Sequence, residues 1–406
     1  MKPSALLALS LTTAAVLAQS ALPTNPNILF WSIPERDAGF RQMEKVSPVH
    51  IITAGGSVHR FPKGAPLKLG NFDIDAHMNS QRVAGLIIIQ DNKIRLEKYG
   101  LGFDAASRWT SFSVAKSFTS SLAGAALRDG SIKSLDDKVT VYIPGLKGSA
   151  YDDVTVKQLL TMTSGVKWNE DYTDPKSDVA LFSQHQAEPG LDVTVSYMKR
   201  LPREAPAGSK WLYKTGETNL IGVLVSQATG KTLSAYLSEK IWKPYGMEKD
   251  AIWMVGNTGH EVSGCCVSAT LRDYARIGQF ILDGGKAHGK EVLPKDWIAQ
   301  ATTKQADIGA PGRGYGYQWW TYDDGSFAAQ GIFGQSIYIN PKLKLVIATF
   351  GNWPTAIDRK GLQLAREAFF KAVRDAIPQR SPDGRGSEET PFQESRSYEA
   401  NSEPRP

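Results

Sequence analysis

The chain has 406 residues, of which 41% are hydrophobic and 22% are charged, and its formal net charge is +6. This length allows one large domain or two closely packed domains. The charge is modest and no Lys/Arg-rich run is interleaved with aromatic residues, which argues against binding to nucleic acid.

The two ends of the chain differ in composition from the rest. Residues 1–20 combine an early lysine, an apolar run and small residues at the end, which predicts a secretory signal peptide and therefore a periplasmic or secreted protein. No other apolar run is long enough to span a membrane. Residues 381–406 are rich in Ser, Glu, Pro and Arg and predict a disordered polar tail. The folded part is therefore predicted to be residues 21–380.

The first regular elements follow an irregular N-terminal segment. Residues 82–90 form an apolar, β-branched run, Asp91 and Asn92 form a turn, and residues 93–99 alternate between apolar and polar. This pattern predicts a β-hairpin with one buried strand and one half-exposed strand.

A Ser-x-x-Lys pattern lies in the segment 108–130 that follows the hairpin. Ser111 and Ser113 are both plausible N-caps, and the Ala-, Leu- and Phe-rich run behind them predicts a buried helix. Helical spacing would place the amine of Lys116 beside the hydroxyl of Ser113. Burial lowers the pKa of a lysine, so this amine could serve as a base for a serine nucleophile. The pattern is short and also occurs by chance, so it needs partners elsewhere in the chain.

The remaining elements alternate between helices and strands. Residues 168–189 are polar and aromatic and predict a lid or binding loop, with a solvated connection as the alternative. Helices are predicted from Thr155 to Gly165, Thr218 to Ala228, Leu233 to Trp242, Thr270 to Leu282 and Ala356 to Ala376. Strands are predicted for 316–322, 327–340 and 343–350. The expected fold class is α/β of the α+β type, a layered core interrupted by a mostly helical insert at roughly 130–265.

Only two cysteines are present, and they are adjacent at Cys265 and Cys266. Neighbouring cysteines close no useful loop, so the stability of the protein must come from its core. We expect both to be packing residues, with a vicinal disulfide as the alternative.

Six segments, in this order, resemble the serine β-lactamase-like family. This penicillin-recognising fold includes class C β-lactamases, D-Ala-D-Ala carboxypeptidases, family VIII esterases and 6-aminohexanoate-dimer hydrolases, and the likeness is greatest to the last group. The matching segments are 113–118, 158–165, 211–213, 242–247, 270–279 and 331–336. The resemblance implies an antiparallel sheet flanked by N- and C-terminal helices, with a helical inserted domain.

The resemblance also implies roles for particular residues. Ser113 would be the acyl-accepting nucleophile, Lys116 its base, and Tyr213 a second base and the proton donor to the leaving group. The ammonium of Lys116 would lower the pKa of the Tyr213 phenol. The backbone N–H groups of Ser113 and Ile332, the latter on a strand, would form the oxyanion hole. Tyr172 would be a lid residue that faces the substrate.

Two positions depart from the family pattern. Thr215 replaces the Asn of the Tyr-x-Asn motif, and Phe333 replaces the basic or imidazole side chain of the third motif. Both changes weaken a β-lactamase interpretation, and Phe333 favours an acyl chain that is neutral or anchored differently from a carboxylate. Trp319 and Trp320 are further candidates for substrate contacts.

The sequence therefore predicts an exported serine hydrolase that cleaves a carboxylic ester or a linear amide, such as a 6-aminohexanoate oligomer or a short acyl ester. We expect a small-molecule substrate, no metal and no cofactor, because no zinc motif, Gly-x-Ser-x-Gly or phosphate loop is present. The oligomeric state is not predicted. The alternatives are a non-catalytic penicillin-binding-like sensor and a D-Ala-D-Ala carboxypeptidase or β-lactamase.

Overall fold

The structure is a computed structural model that describes residues 22–25 and 27–378. The predicted signal peptide at 1–20 and the predicted tail at 381–406 lie outside the described residues. Within them, no helix is both long enough and apolar enough to cross a bilayer.

The described residues contain thirteen β-strands. They are β1 Val49–Ile52, β2 Val83–Gln90, β3 Lys93–Tyr99, β4 Trp109–Thr110, β5 Ala251–Met254, β6 Val267–Ala269, β7 Lys286–Ala287, β8 Lys290–Glu291, β9 Arg313–Tyr315, β10 Trp320–Tyr322, β11 Phe327–Gln330, β12 Ser336–Asn340 and β13 Leu345–Gly351. Seven of them form an antiparallel sheet in the order β3-β2-β13-β12-β11-β10-β9. The predicted hairpin is confirmed as β2 and β3, which pair from Gly85 with Tyr99 to Gln90 with Lys93.

The same residues contain thirteen α-helices. They are α1 Ile33–Gly39, α2 Ile74–Ser80, α3 Ala115–Arg128, α4 Val139–Tyr142, α5 Val156–Leu160, α6 Asp178–Phe182, α7 Val193–Met198, α8 Thr215–Thr229, α9 Leu233–Leu237, α10 Lys243–Tyr245, α11 Leu271–Leu282, α12 Trp297–Ala301 and α13 Leu362–Asp375. The helices α4 to α10 lie between α3 and β5, within the stretch predicted as a helical insert.

The large sheet separates two hydrophobic cores. Ile87 and Ile89 of β2 face the main core, whereas Leu86 and Ile88 face a smaller core that includes Phe369 of α13. Successive residues of a strand point to opposite faces, and here both faces are covered. For this reason β2 is buried along almost its whole length.

Two predicted helices begin where the sequence indicated. Thr155 caps α5 in a capping box with Gln158, and the Thr270 side chain accepts a hydrogen bond from the backbone of Asp273 at the start of α11. The predicted end of the first of these helices is wrong, because α5 ends at Leu160. Met162 then adopts a left-handed backbone with φ 57°, which a helix cannot continue through.

The predicted strand at 327–340 is also wrong as a single element. β11 and β12 are separated by a 3₁₀ turn at Ile332–Gly334. Phe333 and Gly334 have φ values of 59° and 93°, so the chain turns sharply at this point. Ile332 consequently lies on a turn and not on a strand.

A second sheet, in the order β1-β5-β6-β4, joins the N-terminal segment to the site. β1 pairs with β5, and β4 pairs with β6 through Trp109 with Ala269 and Thr110 with Ser268. Since β4 ends immediately before Ser111, this sheet fixes the point from which the chain enters the Ser-x-x-Lys segment.

Candidate active site

Ser113 lies in a 3₁₀ turn, Phe112–Val114, that leads into α3. Neither Ser111 nor Ser113 caps the helix with its side chain, so that prediction is wrong. Phe112 has φ 44°, which is costly for a bulky residue and is tolerated only where the surroundings enforce it. Its ring packs edge-on against Phe40 and Phe333, with centroid distances of 4.9 and 5.2 Å. The core therefore holds the turn that presents Ser113.

The amine of Lys116 donates hydrogen bonds to three acceptors. These are Ser113 Oγ at 2.9 Å, Thr215 Oγ1 at 3.0 Å and the Gly264 carbonyl at 2.8 Å. Lys116 is buried, and burial lowers the pKa of its amine to about 8, although the nearby Glu170 carboxylate acts in the opposite direction. The predicted contact between the serine and the lysine is thus present, and the lysine can lose its proton near neutral pH.

The carbonyl of Gly264 is held in place from several sides. Its own N–H donates to Asn219 Oδ1 at 2.7 Å, and the indole of Trp253 donates to the Cys265 carbonyl at 3.0 Å. Cys265 and Cys266 form a vicinal disulfide. The vicinal disulfide, which the sequence analysis gives as the alternative to two packing cysteines, is therefore present. Both cysteines also line the cavity described below.

Glu170 is a member of the site that sequence reasoning missed. Its carboxylate accepts hydrogen bonds from the Trp168 indole, from the Tyr172 hydroxyl at 2.8 Å, and from both the backbone N–H, at 2.9 Å, and the hydroxyl of Thr215. Because Thr215 in turn accepts from Lys116, a chain of hydrogen bonds connects the carboxylate with the amine. The acid lies in a polar loop, and nothing in the sequence distinguishes it from its solvent-exposed neighbours.

Tyr213 lies beside the lysine. The amine of Lys116 is 5.1 Å from the centre of the Tyr213 ring, and the ring stacks on Trp320 at 5.6 Å. Burial and then the Glu170 carboxylate raise the pKa of Tyr213 well above its usual value, while a hydrogen bond with Ser113 opposes the change. The predicted lowering of this pKa by the ammonium is therefore wrong, and the side chain is a neutral phenol that can donate a proton.

A cavity of about 350 Å³ opens in front of Ser113. Of the predicted substrate-contacting residues, Tyr172 and Thr215 line it, and so does Ile332, which is predicted to contribute its backbone N–H to the oxyanion hole. Phe333 and Trp319 do not, because both are 1% exposed and pack in the core, Trp319 against Phe327.

The turn at Gly331 and Ile332 approaches the backbone of the nucleophile. A Cβ atom added to Gly331 would lie 2.7 Å from the Ser111 carbonyl oxygen and 3.1 Å from the Ser113 nitrogen. This closeness is what a shared oxyanion hole requires. The assignment of the Ser113 and Ile332 N–H groups to that hole stays a prediction.

Comparisons with known proteins identify the family of the chain. A family model described as Beta-lactamase matches residues 73–369. A 6-aminohexanoate-dimer hydrolase of Paenarthrobacter ureafaciens is 29% identical over 326 residues, which is 75% of this chain and 82% of that protein.

Two solved structures are similar in fold. A "Putative 6-aminohexanoate-dimer hydrolase from Bacillus anthracis" superposes with a TM-score of 0.76 at 22% identity, covering 88% of this chain and all of the other. A family VIII carboxylesterase superposes with a TM-score of 0.57 at 16% identity, covering 78% of this chain and 99% of the other. The predicted antiparallel-sheet fold with flanking helices is confirmed by these likenesses.

Proposed function

Since the chain belongs to the beta-lactamase family and is a serine hydrolase of that family, we propose that it cleaves a carboxylic ester or a linear amide through an acyl-enzyme on Ser113. Lys116 is the base and Tyr213 the proton donor. The relative that acts on 6-aminohexanoate dimers supports an uncyclised amide or ester as the substrate class. We also propose that the protein acts outside the cytoplasm, on the basis of residues 1–20.

The observation that carries the proposal is the 2.9 Å hydrogen bond between Ser113 Oγ and a lysine whose pKa is about 8. About a quarter of such lysines are neutral at pH 7.5. A neutral amine accepts the hydroxyl proton while Oγ attacks the substrate carbonyl. The oxyanion that forms is stabilised by the Ser113 and Ile332 N–H groups.

The acyl-enzyme then forms and breaks down by proton transfers among the same groups. The Tyr213 phenol donates its proton to the departing alcohol or amine, and the protonated Lys116 restores it. Water attacks the acyl carbonyl in the second half of the reaction, with the same two residues exchanging the proton in reverse. Each group is hydrogen-bonded to Ser113 before substrate arrives, which supports a preformed catalytic centre.

Phe333 favours this reaction over the β-lactamase and D-Ala-D-Ala carboxypeptidase alternatives. Substrates of those enzymes carry a carboxylate, and Phe333, which stands where the family pattern has a basic or imidazole side chain, is buried and offers that carboxylate no charge. The sensor alternative has less support, because a protein that only binds has no need of a base with a lowered pKa beside its serine.

The test compares the native protein with Ser113→Ala, Lys116→Ala and Tyr213→Phe on a nitrophenyl ester, a 6-aminohexanoate dimer and a chromogenic cephalosporin. We expect turnover of the ester or the dimer, its loss in Ser113→Ala, and at least a hundredfold loss in the other two variants. Ser183→Ala is the control, because Ser183 also lines the cavity but its hydroxyl donates to the Ala180 carbonyl at 2.8 Å. Equal turnover by native protein and Ser113→Ala would refute the proposal.

A further inference from the structure

The walls of the cavity in front of Ser113 are mainly apolar, and from them we propose that the acyl group transferred to Ser113 is an uncharged aliphatic chain longer than acetyl. The inference rests on the proposed function and names its acyl specificity. It distinguishes a hexanoyl group from a 6-aminohexanoyl group of the same length.

Two separate parts of the chain form the apolar walls. The first wall belongs to the N-terminal segment, and we call it the N-terminal wall. The second wall belongs to α6 and the loop before it, and we call it the α6 wall. The N-terminal wall consists of Ile28, Leu29, Met43 and Val46, and the α6 wall consists of Trp168, Tyr172, Val179 and Phe182. Met254, Val255 and Val262 lie between them. A methylene chain that lies between these walls is removed from water on both of its sides. This burial of apolar surface is favourable for each carbon.

Among the described residues, an ammonium at the far end of the chain would find no free carboxylate. The acids that line the cavity in this part of the chain are Asp192 and Glu261. Asp192 Oδ2 accepts from Thr258 at 2.7 Å and from His260 at 2.8 Å, and its Oδ1 accepts from the backbone N–H of Thr194 at 2.8 Å. Its lone pairs are therefore used in capping α7 and holding the neighbouring loop.

Glu261 is engaged in the same way. Its oxygens accept from the backbone N–H groups of Leu233 and Ser234, at 3.2 and 2.9 Å, and from His50 at 2.9 Å. Glu261 is also buried. Binding an ammonium would require one of these carboxylates to give up partners that cap a helix, so a charged chain end would lose its hydration without a replacement.

The chain end cannot be a carboxylate either. The one cation among the described lining residues is His260 in its protonated form, and Asp192 neutralises it at 2.8 Å. The uncharged polar groups at this end, such as Asn257, could meet a hydroxyl or amide but offer no net charge.

The position of Tyr213 assigns the cavity to the acyl group and not to the leaving group. The proton donor must lie beside the leaving atom. Tyr213 belongs to an aromatic cluster with Trp211, Tyr315 and Trp320, and none of these four lines the cavity. The leaving group therefore departs toward this cluster, and the acyl chain extends in the other direction.

The first experiment measures kcat/KM at pH 8 for nitrophenyl esters of acetic, hexanoic and 6-aminohexanoic acid. Complete burial contributes about fourfold per methylene, so we expect hexanoyl to exceed acetyl at least tenfold. The amine of 6-aminohexanoate is charged at this pH, and we expect hexanoyl to exceed it at least tenfold as well. A 6-aminohexanoyl ester cleaved as fast as the hexanoyl ester, or no gain over acetyl, would overturn the inference.

The second experiment uses matched pairs of variants on each wall. Leu29→Asp and Phe182→Asp place a free carboxylate in the cavity, and we expect each to move the hexanoyl to 6-aminohexanoyl ratio toward the amine at least tenfold. Phe30→Asp and Leu181→Asp are the controls, because these neighbours are 41% and 42% exposed and do not line the cavity. Equal ratios in lining and control variants would overturn the assignment of the walls.

The ratio separates this inference from the proposed function. Partial unfolding lowers the rates on both esters and leaves their ratio unchanged. Turnover of the acetyl ester that depends on Ser113 supports the hydrolase whatever the chain preference is. Absence of turnover on all three esters overturns the acyl specificity, whereas the hydrolase is refuted only if the 6-aminohexanoate dimer is not cleaved either.

Discussion

The carboxylate of Glu170 determines how readily Lys116 gives up its proton, and Glu170→Gln tests this. The change removes one negative charge while keeping the shape of the side chain. Burial lowers the pKa of the Lys116 amine and the Glu170 charge raises it. Burial has the larger effect, and the resulting pKa is about 8. Without the charge, burial acts unopposed and the pKa of Lys116 should fall.

The size of the effect follows from the hydrogen bonds between the two groups. Lys116 bonds to Thr215 at 3.0 Å, and Thr215 bonds directly to Glu170. Two successive hydrogen bonds place the charges on the order of 5 Å apart. At an effective dielectric constant of about 20 this separation corresponds to about 3 kcal/mol, or about two pKa units at most. Since Glu170 is partly exposed and water screens its charge, we expect a decrease of about one unit.

The assay is the pH dependence of kcat/KM on a nitrophenyl ester, which reports ionisations of the free enzyme. In the native protein the rate should rise with pH through an apparent pKa near 8, because the neutral amine is the base. In Glu170→Gln this rise should occur at lower pH, whatever happens to the maximal rate. Asp171→Asn is the control, because it removes an exposed neighbouring charge. A rise at unchanged or higher pH in Glu170→Gln would refute the reasoning.

Two glycine substitutions test the packing around the site. Gly331→Ala should lower kcat/KM at least tenfold. The new Cβ would lie 2.7 Å from the Ser111 carbonyl oxygen and would displace the turn that carries Ser113. An unchanged kcat/KM would contradict this close approach. Gly316→Ala should lower the free energy of unfolding by about 1–3 kcal/mol, because its Cβ would lie 1.9 Å from the Ala301 carbonyl oxygen; thermal unfolding measures the loss, and a native Tm would contradict it. Gly256→Ala, with no atom closer than 3.6 Å, is the control for the unfolding measurement.

Short-range patterns predicted where several elements lie but not always their extent, and of the strand predicted at 316–322 only β10, Trp320–Tyr322, is found. The hairpin could be predicted from the alternation of apolar and polar residues in β3 and from the continuous apolar run in β2. Each of these patterns extends over the whole of its strand. The capping residues Thr155 and Thr270 marked two helix starts for a local reason, since each bonds to a backbone group three residues away.

The parts that the sequence did not predict depend on contacts between distant segments. Phe112 adopts its left-handed backbone because Phe40 and Phe333 enclose the ring, and neither is close to it in sequence. Glu170 belongs to the site because its carboxylate is turned toward Thr215, whereas the neighbouring Asp171 is exposed. From the sequence the pKa of Tyr213 is misjudged, because the burial of the phenol and its closeness to the Glu170 carboxylate emerge only in three dimensions.

The antiparallel pairing of β2 with β13 has a consequence for how the protein folds. Val83 pairs with Gly351, so β2, in the first part of the described chain, pairs with β13, which lies near its other end. Contacts between residues so distant in sequence require a long loop to close before they contribute any free energy, and chains of this type fold slowly. A nascent chain on the ribosome cannot complete this sheet until synthesis has passed β13. Until then one edge of the apolar strand β2 lacks its partner, so the growing chain is exposed to aggregation for most of its synthesis.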